Sequence, residues 1–236
     1  MVPSVNALPC LVLTRPRGQA EEFAALFEGQ VNVILSPVQR IEPVCVAQHP
    51  AQWRTILVTS GNGVRALAAL GLPAETRVFA VGDRTAELVE NAGMQVVSAK
   101  GTVEDLLALC LAHPEAAPFW HLRGHHSRGD LAPRLRAKGL ETYETICYQQ
   151  VEQDLTREAK ALIEGETPVV LPLFSPRSAA LVLEQARPGP RCICVAISKR
   201  VAEVAAQSGV TEIVTAQAPT RDAMAESIWR CLGLRV

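Results

Sequence analysis

TAELVENAGMQVV, Thr85–Val97, and its echo VAEVAAQSGVTEIV, Val201–Val214, decide the fold. In each, apolar residues at helical spacing run to a glycine, Gly93 or Gly209, and the chain then enters a short β-branched strand. The two glycines stand 209 − 93 = 116 residues apart, about half of the 236-residue chain. Solenoid units repeat every 20 to 50 residues or so, so a period this long suits two domains of one architecture instead.

The echo widens on both sides. VTSGNGVRALAAL from Val58 is answered by LFSPRSAALVLEQA from Leu173, each an apolar strand, a serine and a helix. FAVGDR (Phe79–Arg84) matches CVAISKR (Cys194–Arg200), and GTVEDLLAL from Gly101 matches APTRDAMAESI from Ala218. One further match is out of order: LTRPRGQAEEFAALFEGQ from Leu13 resembles LRGHHSRGDLAPRLRAKG from Leu122. The repeat is therefore circularly shifted, and the first strand and helix of the chain correspond to the last of the other unit. The layout this predicts joins residues 1–36 and 152–236 as one discontinuous domain, with 42–143 inserted as the second. Residues 37–41 and 144–151 are then linker strands crossing between the domains. They are polar and extended, and two antiparallel crossings can pair as a short β-ladder hinge. A cleft beside that ladder is the expected binding site.

Between the repeats, short β-rich runs alternate with helical stretches, the pattern of parallel sheets covered on both faces. The expected strands are 11–14, 31–35, 55–59, 77–81, 95–98, 119–122, 141–148, 169–174, 192–196 and 212–215. The predicted fold class is α/β: two similar parallel-sheet domains, one inserted in the other. Asp83 is expected to cap the helix that ends at Gly93. With 48% apolar residues the chain can bury two modest cores, and a formal charge of −1 gives no global attraction for nucleic acid or an anionic membrane. No stretch approaches the roughly 18 apolar residues that span a bilayer, and a soluble, cytoplasmic protein is expected. The seven cysteines, mostly inside apolar segments, read as reduced thiols rather than a disulfide framework. Cys192 and Cys194 share a strand but lack further soft ligands, so no metal site is expected there.

In open parallel sheets ligands bind where strands end and helices begin, because unpaired helix N-terminal amides attract negative charge. Here those turns read Thr14-Arg15-Pro16, Ser60-Gly61-Asn62, Val81-Gly82-Asp83, Arg123-Gly124, Ser175-Pro176-Arg177, Ser198-Lys199-Arg200 and Ala218-Pro219-Thr220. Ser60, Ser175, Ser198 and Thr220 serve equally well as plain helix N-caps. Capping does not explain why Arg15, Arg17, Arg123, Arg128, Arg177, Lys199, Arg200 and Arg221 cluster just after strand ends in both halves. Turns so edged suit a ligand with several carboxylates or phosphates. His121, His125 and His126 form the histidine cluster, which offers only Asp130 as an acidic companion; they read as surface histidines rather than metal ligands.

The ordered set LTRP, ILVTSGNGVRAL, FAVGDRTAELVENAG, HLRG with SRGDLAPRLRAKG, ICYQQ, LFSPRSA, and ISKRVAEVAAQSG followed by APTRDAM resembles the uroporphyrinogen-III synthase family of tetrapyrrole biosynthesis, over nearly the whole chain. The resemblance implies two α/β domains joined by a two-stranded ladder, and activity without cofactor or metal. It implies as small-molecule partner the polycarboxylate tetrapyrrole hydroxymethylbilane, cyclised to uroporphyrinogen III with inversion of ring D and loss of water. It also implies Tyr148 as the catalytic proton donor, since Tyr148 matches the tyrosine that follows the inserted domain in that family. After this tyrosine the chain departs from the family pattern, carrying Gln149-Gln150 where the family's run ends in threonine. Motif matching assigns substrate carboxylates to Thr14, Arg15, Ser60, Gly82, Arg123, Gly124, Ser175, Ser198, Lys199 and Thr220, with Arg65, Arg128 and Arg200 as further bases. Gly82 and Gly124 would allow close backbone approach. Tyr143, five positions before Tyr148, is expected to face the other way on a regular strand and to be structural.

No long apolar surface helix demands an oligomer, so a monomer is expected, with transient contact with neighbouring pathway enzymes left open. Two rival classes stand beside the synthase: a bilobal sensor that closes on a metabolite without reacting, and a nucleotide- or phosphosugar-binding enzyme. The second lacks any GxGxxG after a strand, and any GxxxxGK followed by serine or threonine.

Overall fold

The structure is a computed structural model and describes residues 8–46, 49–127 and 129–233. Its strands are β1 (Cys10–Leu13), β2 (Asn32–Leu35), β3 (Gln39–Pro43), β4 (Thr55–Val58), β5 (Arg77–Ala80), β6 (Gln95–Ser98), β7 (Phe119–Gly124), β8 (Thr142–Glu152), β9 (Val169–Leu173), β10 (Cys192–Ala196) and β11 (Ile213–Thr215). Its helices are α1 (Arg17–Ala24), α2 (Gly61–Ala69), α3 (Asp83–Asn91), α4 (Val103–Ala112), α5 (Leu131–Ala137), α6 (Arg157–Glu164), α7 (Pro176–Gln185), α8 (Lys199–Gln207) and α9 (Arg221–Cys231). The chain forms two compact units, Met1–Arg40 with Val151–Val236, and Ile41–Gln150.

The discontinuous unit has a five-stranded sheet in the order β11-β10-β9-β1-β2, parallel at every pairing. The other sheet runs β3-β8-β7-β4-β5-β6 and is parallel from β8 to β6. Replacing β4 to β8 by β9, β10, β11, β1 and β2 turns the second order into the first, with β3 as the added edge. The circular shift read from the sequence is thus a property of the sheets themselves. Next to β3, the Val44 N–H donates to Cys147 O at 3.0 Å and the Gln153 N–H to Val38 O at 2.9 Å. As one residue number rises the other falls, so β3 and β8 run antiparallel.

Each sheet has a core on both faces. In the inserted unit, α2 and α3 bury Val64, Leu67, Ala86 and Val89 on the face carrying Ile56, Val58 and Trp120. On the opposite face α4 and α5 bury Leu106, Cys110, Leu131 and Leu135 against Leu57, Phe79 and Phe119. The discontinuous unit repeats this division, with α6, α7 and α8 on one face and α1 and α9 on the other. Central strands are consequently covered on both faces: β1, β4 and β9 are buried throughout, and their residues are apolar except Thr55 at the start of β4. Edge strands β6 and β11 stay partly exposed.

Helix ends follow local chemistry. Gly93 and Gly209 take φ of 80° and 82°, the left-handed conformation that closes α3 and α8 at little cost for glycine. Thr102 and Asp105 form a capping box on α4. The expectation for Asp83 needs correction. Gly82 occupies the N-cap of α3, and the Asp83 carboxylate instead accepts a 2.6 Å bond from the Ser98 hydroxyl. That bond ties the start of α3 to the end of β6, a contact that local spacing does not encode.

Candidate active site

Strand order reverses between β4 and β7 in the inserted unit, and between β9 and β1 in the other. The helices that follow these neighbours lie on opposite faces, which opens a crevice beyond the strands' carboxyl ends. Ser60 and Gly124 stand at that point in the inserted unit. The Ser60 hydroxyl caps α2 by accepting the Gly63 N–H at 3.2 Å. It also lies 3.0 Å from Tyr148 Oη.

Tyr148 reaches this position through an irregularity in β8. Along the β7–β8 pairing Arg123 stands opposite Ile146, but Gly124 stands opposite Tyr148, leaving Cys147 as an extra residue. The bulge cancels the alternation that would have put Tyr143 and Tyr148 on opposite faces. Tyr143 pairs with Trp120 and Tyr148 with Gly124, two positions of one face of β7, and both tyrosines pack in the same core. The expectation that Tyr143 faces away is therefore corrected. Its hydroxyl donates to the Glu141 carboxylate, well apart from the Ser60–Tyr148 pair in sequence and register.

Gly124 is where a missing side chain matters. A Cβ built there would lie 2.5 to 2.9 Å from the Tyr148 ring and hydroxyl, inside any tolerable contact. Gly82 differs: its φ of −163° is open to any residue, and an added Cβ would meet Gly101 backbone at an ordinary 3.5 Å. Neither turn geometry nor packing requires glycine at position 82.

Arg123 is held within its own unit. Nε donates to Glu144 at 2.7 Å, Nη2 lies 2.6 Å from the same carboxylate, and Nη1 donates to the carbonyls of Gly124 and His125. Burial would raise the Glu144 carboxyl, but the Arg123 and Arg136 guanidinia hold it below the usual carboxylate range. Beside this pair His121 is 3% exposed, contrary to the expected surface histidine. Burial drives its pKa down to about 4, against a smaller upward pull from Glu144, and its Nε2 lies 3.5 Å from Thr59 Oγ1. His125 and His126 are exposed, their rings 4.8 Å apart and edge-on. Among the described residues no group of three His, Cys, Asp or Glu could hold a metal ion.

The reversal point of the discontinuous unit gathers Thr14, Arg15, Phe174 and Ser175. Thr14 is buried, 2% exposed, while the Arg15 guanidinium sits 4.2 Å from the centroid of the Phe174 ring and donates to Gln19. Ser175 caps α7 by accepting the Ser178 N–H at 3.1 Å. Arg177 pairs with Glu152 at 3.1 Å. One strand over, Ser198 occupies the N-cap of α8 without a side-chain capping bond, and Lys199 and Arg200 are exposed. Thr220 caps α9, and Arg221 reaches back to Glu22. Arg65 is exposed on α2, and Arg128 lies outside the described residues. The turns named from sequence thus separate by unit: Ser60, Gly82, Arg123, Gly124 and Tyr148 in one, and Thr14, Arg15, Ser175, Ser198, Lys199 and Thr220 in the other. Sequence reading missed the Glu144 partner of Arg123 and the burial of His121. The apolar run around FWHL carried a signal for the second.

No helix among the described residues is long and apolar enough to cross a membrane. A comparison with curated protein sequences yields no match. Among solved structures, the chain is similar to the uroporphyrinogen-III synthetase of Helicobacter pylori 26695, with a TM-score of 0.71 at 14% identity over 95% of this chain and 99% of that one. It is also similar to a mutant uroporphyrinogen III synthase of the extremely thermophilic bacterium Thermus thermophilus, with a TM-score of 0.56 at 22% identity over 96% of this chain and 99% of that one. At such identities these likenesses show the fold. The family described as uroporphyrinogen-III synthase HemD matches residues 21–226. On that match the chain belongs to the uroporphyrinogen-III synthase family.

Proposed function

We propose that this enzyme of tetrapyrrole synthesis acts as a dehydrating, cyclising hydro-lyase on hydroxymethylbilane in the cytoplasm, with Tyr148 as its proton donor. The observation that carries the reading is the phenol of Tyr148 at the reversal point of a parallel sheet, 3.0 Å from Ser60 Oγ and seated over the bare Gly124. A phenol keeps its proton at neutral pH and can pass it to a departing hydroxyl. As the C–O bond breaks, the hydroxyl leaves as water and the pyrrole nitrogen's electrons form an azafulvene. Ring D attacks at its substituted carbon through a spiro intermediate; fragmentation and closure at the other position invert the ring. The proton lost on closure can return to the phenolate, so the donor is restored.

Because the pyrroles drive the departure, the protein chiefly holds the chain in a reactive fold and excludes the uninverted closure. The turns carrying Thr14, Arg15, Ser175, Ser198, Lys199 and Thr220 in one unit, and Ser60, Gly82, Arg123 and Gly124 in the other, are the proposed carboxylate-holding set. Within it Lys199 is the exposed base at a helix N-terminus, whereas Arg123 is already matched by Glu144 and acts by shaping its turn. Residues 1–36 with 152–236, and 42–143, are proposed as the two domains, with the segments between them as a hinge.

Freshly made hydroxymethylbilane and product separation test the activity: type III isomer in excess of the spontaneous type I is expected. Type I alone, at the uncatalysed rate, would sink the reading and favour a sensor. Tyr148→Phe is expected to lower turnover by up to about 10²-fold, no more, because the substrate supplies most of the driving force. Unchanged turnover in a folded variant removes Tyr148 from the mechanism.

A further inference from the structure

Ser60 Oγ has one proton to donate and two lone pairs to offer. One lone pair takes the Gly63 N–H at 3.2 Å and so holds the first turn of α2. The remaining neighbour at hydrogen-bond distance is Tyr148 Oη, at 3.0 Å. Either hydroxyl can be the donor in this pair, and whichever donates leaves the other's proton free to point elsewhere. A phenol that gave its proton to Ser60 would hold none for a leaving hydroxyl, so the donor role proposed for Tyr148 requires the arrangement in which Ser60 donates and Tyr148 accepts.

The Tyr148 ring cannot swing freely to choose another partner. It is 8% exposed, it packs with Trp120, Leu122 and Val64, and its edge lies over Gly124, where even one methyl would collide with it. The bulge at Cys147 fixes the register that brings it there. Once the phenol oxygen accepts from Ser60, its own proton must point to another group. When that proton has left, the phenolate faces a hydroxyl donor anchored at the amino end of α2, a favourable setting for negative charge.

We propose that Ser60 is a positioning residue for the donor: by giving its hydroxyl proton to Tyr148 Oη, it turns the phenol's proton toward the leaving hydroxyl and steadies the phenolate that remains. This deepens the function proposed above and rests on the role given there to Tyr148. The carboxylate contact proposed for the Ser60 turn then falls to its backbone amides, which Ser60→Gly keeps, while the hydroxyl serves the phenol and acts on turnover rather than on binding.

The test is a double-mutant cycle on the full-length protein with hydroxymethylbilane, reading kcat and KM for type III product. Ser60→Gly removes the hydroxyl with a residue that leaves an N-cap least weakened, and circular dichroism checks the fold. The expected result is a kcat about tenfold lower with KM unchanged, the size of one hydrogen bond. Ser60→Thr, which keeps a hydroxyl at the cap, should recover most of that loss. In a Tyr148→Phe background Ser60→Gly should cost nothing further, since the phenol oxygen that accepts from Ser60 is already gone. If Ser60→Gly raises KM, or costs its full factor again in the Tyr148→Phe background, the positioning role is overturned while Tyr148 keeps its own. If Tyr148→Phe is itself without effect, both fall together.

Discussion

His121 should give the inserted unit a pH-dependent stability that one substitution removes. An unperturbed histidine titrates near 6.5, whereas burial takes this one to about 4. As pH falls through 6.5 the unfolded chain gains a proton at this position, while the native protein gains none until about pH 4. The unfolded state therefore binds more protons across that window, and stability falls as pH falls. At about 1.4 kcal/mol for each pH unit, the whole window amounts to about 3 kcal/mol, of which about 2 kcal/mol is lost between roughly pH 7.5 and pH 5. Glu144 is the charged neighbour pulling the other way, and Arg123 opposes it. Carboxylates held low, such as Glu144, contribute to the slope only near and below their ordinary range, about pH 4.5. His121→Leu, of similar volume, should abolish the slope between those two pH values. Because two compact units need not unfold together, hydrogen exchange at the amides of β4 and β7 is the suitable measure. Parallel pH curves for the two proteins would refute the reasoning, whatever their absolute stabilities.

Three further outcomes follow from particular contacts. Gly124→Ala should lower turnover to the level of Tyr148→Phe while costing about 1 to 3 kcal/mol in chemical denaturation, since its Cβ would overlap the ring; normal turnover would show that the ring does not need its place. Thr102→Ala removes the capping box of α4 and should destabilise the inserted unit by about 1 kcal/mol in the same measurement, with kcat unchanged. Of the seven thiols, Cys45 is exposed and Cys231 intermediate, so a thiol reagent should label Cys45 first and Cys231 more slowly. Cys10, Cys110, Cys147, Cys192 and Cys194 should react only on unfolding, burial pushing Cys110 up to about 12 and Cys147 up to about 11; early labelling of Cys147 would contradict the packing of β8.

What was legible in the chain is whatever depends on near neighbours. Continuous apolar runs mark β1, β4 and β9 because a strand covered on both faces has no polar side. Gly93 and Gly209 mark helix ends because the left-handed residue is needed there regardless of the surroundings. The circular shift of the repeat carried the most, since two stretches of similar pattern must fill similar places in two sheets, and the strand orders are related by that same shift.

Side-chain direction and partnership were not legible in this way. Parity along 142–152 put Tyr143 and Tyr148 on opposite faces, and a single unpaired residue, Cys147, reversed that result. No local pattern announces a bulge, because it arises from the pairing of β8 with β7 and from the room left by Gly124. Arg123 looked like a base available to a ligand until Glu144, 21 positions away, took its guanidinium. Asp83 had the spacing of a cap and found Ser98 instead. The sequence by itself determined the elements, their order and the doubling of the architecture, because propensity and periodicity act over a few residues. Only the tertiary structure decided which hydroxyl meets the Tyr148 phenol and which charges are already spent, because those contacts join residues that the sheet brings together and that are distant along the chain.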